Sequence, residues 1–255
     1  MHLKERRTIG IVGGMGPQAG VALHEAIIKF TPVKKDQDHF SVVLMTYPEA
    51  LVDRTAFLEG STPINPADGI LEVIGKLVEA GAEVIGIPCN TSHAPEIFNP
   101  IQEDVYHRNQ QTRLIHLPSE VICHLQKNHP ESNKVGLMAT NGTYKSVIYQ
   151  ELLSLNGYEV VVPPFDFQGQ VVHKMIYDPE IGIKANSVEI TDEAISLWQR
   201  ALRFFKQEKA EVIILGCTEL CLIHPFSAAE DIILVDTTEV LAKALIREAT
   251  MPAPE

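Results

Sequence analysis

The sequence predicts an α/β fold made of two similar open parallel-sheet, Rossmann-like domains, related by a pseudo-two-fold axis, with a ligand site in the cleft between them. Three observations carry this. First, Val84-Ile85-Gly86-Ile87-Pro88-Cys89-Asn90-Thr91-Ser92-His93 and Val212-Ile213-Ile214-Leu215-Gly216-Cys217-Thr218-Glu219-Leu220-Cys221 share one design: a short apolar run, then Pro or Gly, a cysteine, and small polar residues. Short runs rich in Val and Ile read as strands buried on both faces, the kind found in parallel sheets. Second, Ile9-Gly10-Ile11-Val12-Gly13-Gly14-Met15-Gly16-Pro17 resembles Val135-Gly136-Leu137-Met138-Ala139-Thr140-Asn141-Gly142-Thr143. Third, the spacing repeats: Cys89 follows Gly10 by 79 positions and Cys217 follows Gly136 by 81. The chain therefore contains one unit twice, and each copy places a cysteine at an equivalent point.

The elements follow in order. Thr8 to Val12 reads as a strand, Gly13 to Gly16 as a tight turn, and Pro17 as the first residue of a helix to about Phe30. After a polar loop, Ser41 to Thr46 is a second strand. A long connection carries Asp53-Arg54-Thr55 and ends at Thr62-Pro63-Ile64-Asn65-Pro66, a strong loop signal. Asn65 or Ala67 starts a helix ending near Gly81, and the Val84 strand leads to Cys89. Ala94 to Arg108 is helical, Leu114 to Leu117 a short strand, and Pro118 to Asn128 a helix. The second copy opens at Val135. Helices are expected over 144–155, with Gly157 just past the end, and over 168–177 and 191–209; strands over 158–162 and 232–235; and a last helix over 237–249. Strand and helix alternating at this spacing mean parallel sheets. The expected division is residues 1–112 with 229–255 as the first domain and 113–228 as the second.

Each cysteine falls between the carboxyl end of a strand and the expected amino end of a helix, signalled by Asn/Thr and Thr/Glu. Ligands bind there in open α/β sheets, and the positive helix end favours a thiolate. The 255 residues suffice for one large or two modest domains, and 45% hydrophobic content supports a full core. A net charge of −12 argues against nucleic acid and anionic membranes as partners. The opening Met1-His2-Leu3-Lys4-Glu5-Arg6-Arg7 lacks the apolar segment of a secretory signal, and no stretch has membrane-spanning length. Four cysteines in a chain this long point to reduced cytoplasmic thiols, not a disulfide framework.

Inverting a stereocentre by proton transfer needs a base on one face and an acid on the other, and a thiol does either after a modest downward shift. Cys89 and Cys217, one per half, meet that requirement. Cys123, placed on an apolar helix stripe, and Cys221 read as packing residues. His93 is either a partner of Cys89 one turn on or a structural histidine.

Taken together, Gly13-Gly14-Met15-Gly16-Pro17, Pro88-Cys89-Asn90-Thr91-Ser92-His93 and Gly216-Cys217-Thr218-Glu219 resemble the motifs of the aspartate/glutamate racemase family, aspartate racemase branch, from about Thr8 to Leu245. The resemblance implies cofactor-independent racemisation of an amino acid, aspartate or also glutamate, with Cys89 and Cys217 as catalytic thiolate and thiol. It implies Arg54, in Asp53-Arg54-Thr55, and Lys184, in Ile181-Gly182-Ile183-Lys184, at the distal carboxylate of the substrate. Met15, Asn90, Thr91, Thr140, Thr143 and Thr218 match positions that hold the remainder. It implies a homodimer, no pyridoxal phosphate or other cofactor, and no metal. Residue chemistry is compatible: helix starts and Asn/Thr side chains suit an enolate-like carboxylate, and an arginine fork suits a second one.

Rival readings remain within the sequence. Gly14-Met15-Gly16-Pro17-Gln18-Ala19 fits a G-x-G-x-x-A dinucleotide fingerprint and an NAD-dependent oxidoreductase, yet Thr46-Tyr47-Pro48 stands where an acidic ribose partner belongs. Cys89, His93, Cys217 and Cys221 form two x3-spaced pairs, a possible structural zinc set. Hydantoin racemase and maleate isomerase chemistry are further options in the same superfamily, and a non-catalytic amino-acid binder is another.

Overall fold

The first apolar run forms β1 (Ile9–Gly13), and all five of its residues are buried. In the computed structural model, which describes residues 6–108, 111–223 and 232–251, β1 is the centre of a four-stranded sheet. It pairs in parallel with β2 (Val42–Thr46) on one side and β3 (Val84–Gly86) on the other. β4 (Arg113–Leu114) completes the order β2-β1-β3-β4. The turn after β1 depends on Gly14, whose φ of +107° is disfavoured for side-chain-bearing residues; a Cβ there would lie 3.0 Å from the backbone nitrogen of Pro48.

Helices follow the strands as their signals require. Pro17 opens α1 (Pro17–Phe30), where its missing N–H costs nothing. The connection after β2, expected as loop, contains α2 (Arg54–Leu58). The Asp53 carboxylate caps it, accepting from the Ala56 N–H at 2.7 Å. Asn65 caps α3 (Pro66–Glu79) in the same way at 2.9 Å, settling which residue starts that helix. α4 (Pro95–Arg108) and α5 (Leu117–Asn128) follow.

The second sheet repeats the first. β5 (Lys134–Ala139) takes the place of β1, flanked by β6 (Glu159–Val161) and β7 (Val212–Gly216), with β8 (Ile233–Asp236) outermost. Its order, β6-β5-β7-β8, is that of the first sheet, and again all pairings are parallel. The expected single helix over 144–155 is two: α6 (Asn141–Lys145) and α7 (Ile148–Leu155), separated by Val147 at φ 51°. Left-handed backbone at a β-branched residue breaks the helical path. The run 165–177 contains α8 (Phe165–Phe167), a π-helical stretch (Gln168–His173) and α9 (Lys174–Tyr177). Thr191 caps α10 (Asp192–Gln207), whose buried residues Ala194, Leu197, Trp198, Ala201, Leu202 and Phe205 recur at helical spacing. The last elements are α11 (Leu220–Ile223) and α12 (Thr237–Thr250).

Two compact units result: residues 1–120 with 238–255, and residues 121–237. The expected division after residue 112 differs because β4 pairs with β3, which keeps 113–120 in the first unit. The expected division after residue 228 lies outside the described residues; β8, assigned from sequence to the first domain, pairs with β7 in the second. α12 does return to the first unit. Its Leu245 methyl would lie 2.8 Å from a Cβ at Gly86, Ala249 O accepts from Arg7 N at 2.9 Å, and Lys29 pairs with Glu239. The opening residues 1–5, read above as lacking a secretory signal, also lie outside the described residues. No helix among the described residues is long and apolar enough to cross a membrane.

Each unit has its own core. Ile70, Val73, Leu77, Ile85, Ile97 and Ile101 dominate the first, and Trp198, Phe205, Ile213, Val172 and Met175 the second. Trp198 is fully buried. Truncating it removes a large apolar surface from a close-packed interior. Trp198→Ala is expected to lower stability by about 3–5 kcal/mol in urea denaturation; a loss below about 1 kcal/mol would contradict this packing.

Candidate active site

Parallel pairing sends the carboxyl ends of all strands of a sheet to one edge, and the chemistry-bearing residues gather there. In the first unit β3 runs out through Ile87 and Pro88 to Cys89, whose N–H donates to Ile87 O at 2.8 Å. Cys89 is extended backbone and buried. A 3-10 turn, Asn90–His93, follows before α4 begins at Pro95. Asn90, Thr91 and Ser92 are all buried in that turn. The Ser92 hydroxyl lies 3.4 Å from the Met15 sulfur, so the glycine turn after β1 meets the cysteine turn after β3. Met15 and Cys89 belong to one core cluster. Arg54 is the first residue of α2, which packs against the Asn90–His93 turn. It is buried, and its Nη1 donates to Val52 O at 3.1 Å. Met15, Arg54, Cys89, Asn90 and Thr91 are thus brought together on the edge of one sheet.

His93, the last residue of this turn, has no exposure, and its Nε2 is 3.2 Å from Ile87 O. Burial and the neighbouring His116 lower its pKa from 6.5 to about 3. The ring is neutral and donates from Nε2 to the carbonyl two residues before the cysteine. Its ring also contacts Phe98 and His116. His93 holds the loop backbone through Nε2, the arrangement of its structural-histidine reading. Among the described residues no three His, Cys, Asp or Glu side chains cluster as metal ligands.

In the second unit β5 and β7 are neighbours, with Ala139 opposite Gly216. Thr140 and Cys217 therefore leave adjacent strands at one level. Thr140 caps α6: its Oγ1 accepts from the Thr143 N–H at 3.3 Å, and the two hydroxyls are 3.4 Å apart. Buried Gln168 donates to Ala139 O at 2.8 Å and steadies the strand end. Cys217 and Thr218 are buried beside it.

Glu219 entered the sequence reading as a helix start and as part of the quoted motif, with no role of its own. It is 3% exposed, with Oε2 2.9 Å from the Cys217 sulfur and Oε1 paired with Lys184 Nζ. Burial works against charge on Glu219, but Lys184 and the thiol hydrogen bond outweigh it, and its pKa is lowered. For Lys184 burial is likewise opposed by Glu219 and Cys217, and its pKa is raised. Burial, with Glu219 beside it, pushes the Cys217 thiol well up. The expectation that a helix amino end favours a thiolate is therefore corrected at Cys217. A 3-10 turn follows Cys89; Cys217 is followed by a turn and only the four-residue α11, and a carboxylate faces its sulfur. A charged residue after a buried strand end was the available signal, since a buried carboxylate requires a cation.

Cys221, expected as packing, is half-buried with its sulfur 2.8 Å from Asp236 Oδ1. Cys123, also expected as packing, is exposed. The buried stripe of α5 is Leu117, Val121, Ile122 and Leu125, and Cys123 points away from it.

The Asp/Glu/Hydantoin racemase family model matches residues 12–245. This chain belongs to that family, whose name defines a class of isomerases. It is 28% identical to the broad specificity amino-acid racemase RacX of Bacillus subtilis (strain 168), over 93% of this chain and 96% of that one. Among solved structures it is similar to Picrophilus torridus aspartate racemase, with a TM-score of 0.77, 27% identity, and coverage of 97% and 96% of the two chains. An aspartate racemase homologue from Pyrococcus horikoshii OT3 shares the fold, with a TM-score of 0.69 at 21% identity over 96% of this chain and all of that one.

His93 makes the site pH-sensitive through stability. Its folded pKa is depressed, so its neutral form is free of cost above the unfolded value near 6.5 and costly below it. Stability is expected to fall by up to about 1.4 kcal/mol per pH unit as pH drops from 6.5 toward 3. Urea denaturation at several pH values checks this; His93→Gln should flatten the slope, and an unchanged slope would reject the assignment.

Proposed function

We propose that the chain is a cofactor-independent amino-acid racemase that acts on aspartate, or on both aspartate and glutamate, through two thiols. Cys89 and Cys217 are the two proton carriers. One sulfur, as thiolate, takes the α-proton; the other, as thiol, gives a proton to the opposite face, and the roles exchange in the reverse direction. The observation that carries the reading is the repeated placement: each sheet, of identical strand order, ends its third strand in sequence at a buried cysteine flanked by buried Thr and Asn or Thr and Glu.

The substrate carboxylate next to the reacting carbon gains enolate character as the proton leaves. Hydroxyls and amides of Asn90, Thr91, Thr140, Thr143 and Thr218 are the groups proposed to hold it. Arg54 is the cation proposed for the distal carboxylate, since a buried guanidinium at a strand-end edge suits bidentate recognition. Lys184 was expected to share that task. Its ammonium is paired with Glu219, so its contribution is proposed to be electrostatic and indirect. Homodimer formation and a cytoplasmic location remain proposals from the family resemblance and the free thiols.

A broader substrate range is the second reading, because the Bacillus relative is described as a broad specificity amino-acid racemase. A panel of single enantiomers, each followed by loss of optical activity without added cofactor, separates the two. Aspartate preference supports the first reading; comparable rates on neutral amino acids support the second; inactivity on every amino acid rejects both.

Cys89→Ala and Cys217→Ala should each lose racemisation by at least about 10²–10⁴-fold, and full activity in either variant would defeat the mechanism. Arg54→Ala should raise KM for aspartate by about 10–100-fold, the loss of a charged hydrogen-bonded contact. An equal effect on a neutral amino acid would remove Arg54 from the substrate.

A further inference from the structure

Within the second unit three buried groups form a chain: Lys184 Nζ, the Glu219 carboxylate and the Cys217 sulfur, with 2.9 Å between Glu219 Oε2 and Sγ. Glu219 is 3% exposed and has one oxygen on each neighbour. A buried carboxylate at this distance from sulfur must either accept an S–H hydrogen or, if protonated, donate to the sulfur. The ammonium on its other oxygen selects the first arrangement, because it stabilises the anionic carboxylate. The anion then opposes loss of the thiol proton, since deprotonation would put two negative groups in contact.

We propose that Glu219, anchored by Lys184, is a positioning residue that holds Cys217 in the protonated, proton-donating form in the resting protein. The use of that proton rests on the racemase reading; the state of the thiol does not. In turnover the Cys217 S–H bond breaks as a C–H bond forms at the carbanionic α-carbon. The carbanion's electron pair takes the proton, and the S–H pair remains on sulfur as thiolate. That thiolate lies against an anionic carboxylate, and the repulsion favours its reprotonation. In this account Lys184 serves the substrate through Glu219.

Among the described residues, further titratable groups lie on the neighbouring elements. Tyr177, on α9, has its ring 5.4 Å from the Lys184 ammonium and stacks on His173. From α11 and β8 come Cys221 and Asp236, which are hydrogen-bonded to each other at 2.8 Å. Thr218 Oγ1 is 3.4 Å from Glu219 Oε2 and supports the same oxygen as the thiol.

The test is the pH dependence of alkylation at Cys217, with iodoacetamide as the probe and modification of that residue followed by peptide mass spectrometry. Glu219→Gln keeps the shape and removes the charge. Its Cys217 profile should move down by at least about one pH unit, roughly tenfold faster labelling at a fixed pH below the wild-type midpoint. Glu219→Asp, which keeps the charge, should stay nearer the wild type than Glu219→Gln does. A folded Glu219→Gln protein with an unchanged or upward-shifted profile would overturn the proposal. If that variant does not fold, the wild-type protein decides. A Raman S–H band at lowered frequency, absent in Cys217→Ser, should persist above the ordinary thiol range; no such band, or its loss near neutral pH, overturns the assignment. Neither readout needs turnover, so an inactive panel of amino acids would reject the racemase reading while leaving this result intact.

Discussion

Parallel pairing is the constraint on which everything else rests. In β1/β3 and β5/β7 every strand runs the same way, so each sheet has one edge where all the strands end. Segments leaving neighbouring strands at equal register necessarily begin side by side. Ala139 opposite Gly216 is enough to put Thr140 and Cys217 next to each other, although 77 positions separate them in the chain. The same rule sets the glycine turn carrying Met15 beside the turn carrying Cys89. A residue's chemistry here is therefore inherited from a backbone pattern that short apolar runs already encode.

The two cysteines have equivalent places but unequal surroundings. Cys89 is followed by a turn whose neutral histidine grips the Ile87 carbonyl. Cys217 lies against a carboxylate held by an ammonium. Duplication accounts for the shared backbone, while side chains that reach each edge from elsewhere in the unit make the two thiols differ. Lys184 comes from the segment after α9 and could not have been paired with Glu219 from spacing alone.

Much of the fold was legible for physical reasons. Val- and Ile-rich runs are short and bounded by Gly or Pro, so most strands were found nearly to the residue; the strand expected at Leu114 to Leu117 is instead Arg113–Leu114, and Leu117 already belongs to α5. Pro17, Asn65 and Thr191 each mark a helix start by a local mechanism. What was missed depends on longer-range contacts. β4 is two residues long and β8 follows a stretch without periodicity, so their sheet partners, and with them the domain division, were not readable. Cys123 illustrates a phase error: one residue off the apolar stripe of a helix is a 100° rotation away from it. Met15 and Asn90 to Ser92 meet at the end of the first sheet, and Thr140 leaves its strand beside Cys217 at the end of the second, as the motifs led one to expect; Lys184 reaches the second from the segment after α9. Glu219 stood in the quoted motif, but its role depends on a buried cation 35 positions upstream.

The central claim, that two thiols act on opposite faces of one carbon, is tested most directly by early turnover in heavy water. With L-aspartate as substrate, the account predicts that D-aspartate forms with deuterium at the α-carbon while the recovered L-aspartate retains hydrogen. Deuterium appearing equally in both enantiomers from the first turnovers would indicate a single proton carrier and contradict the account.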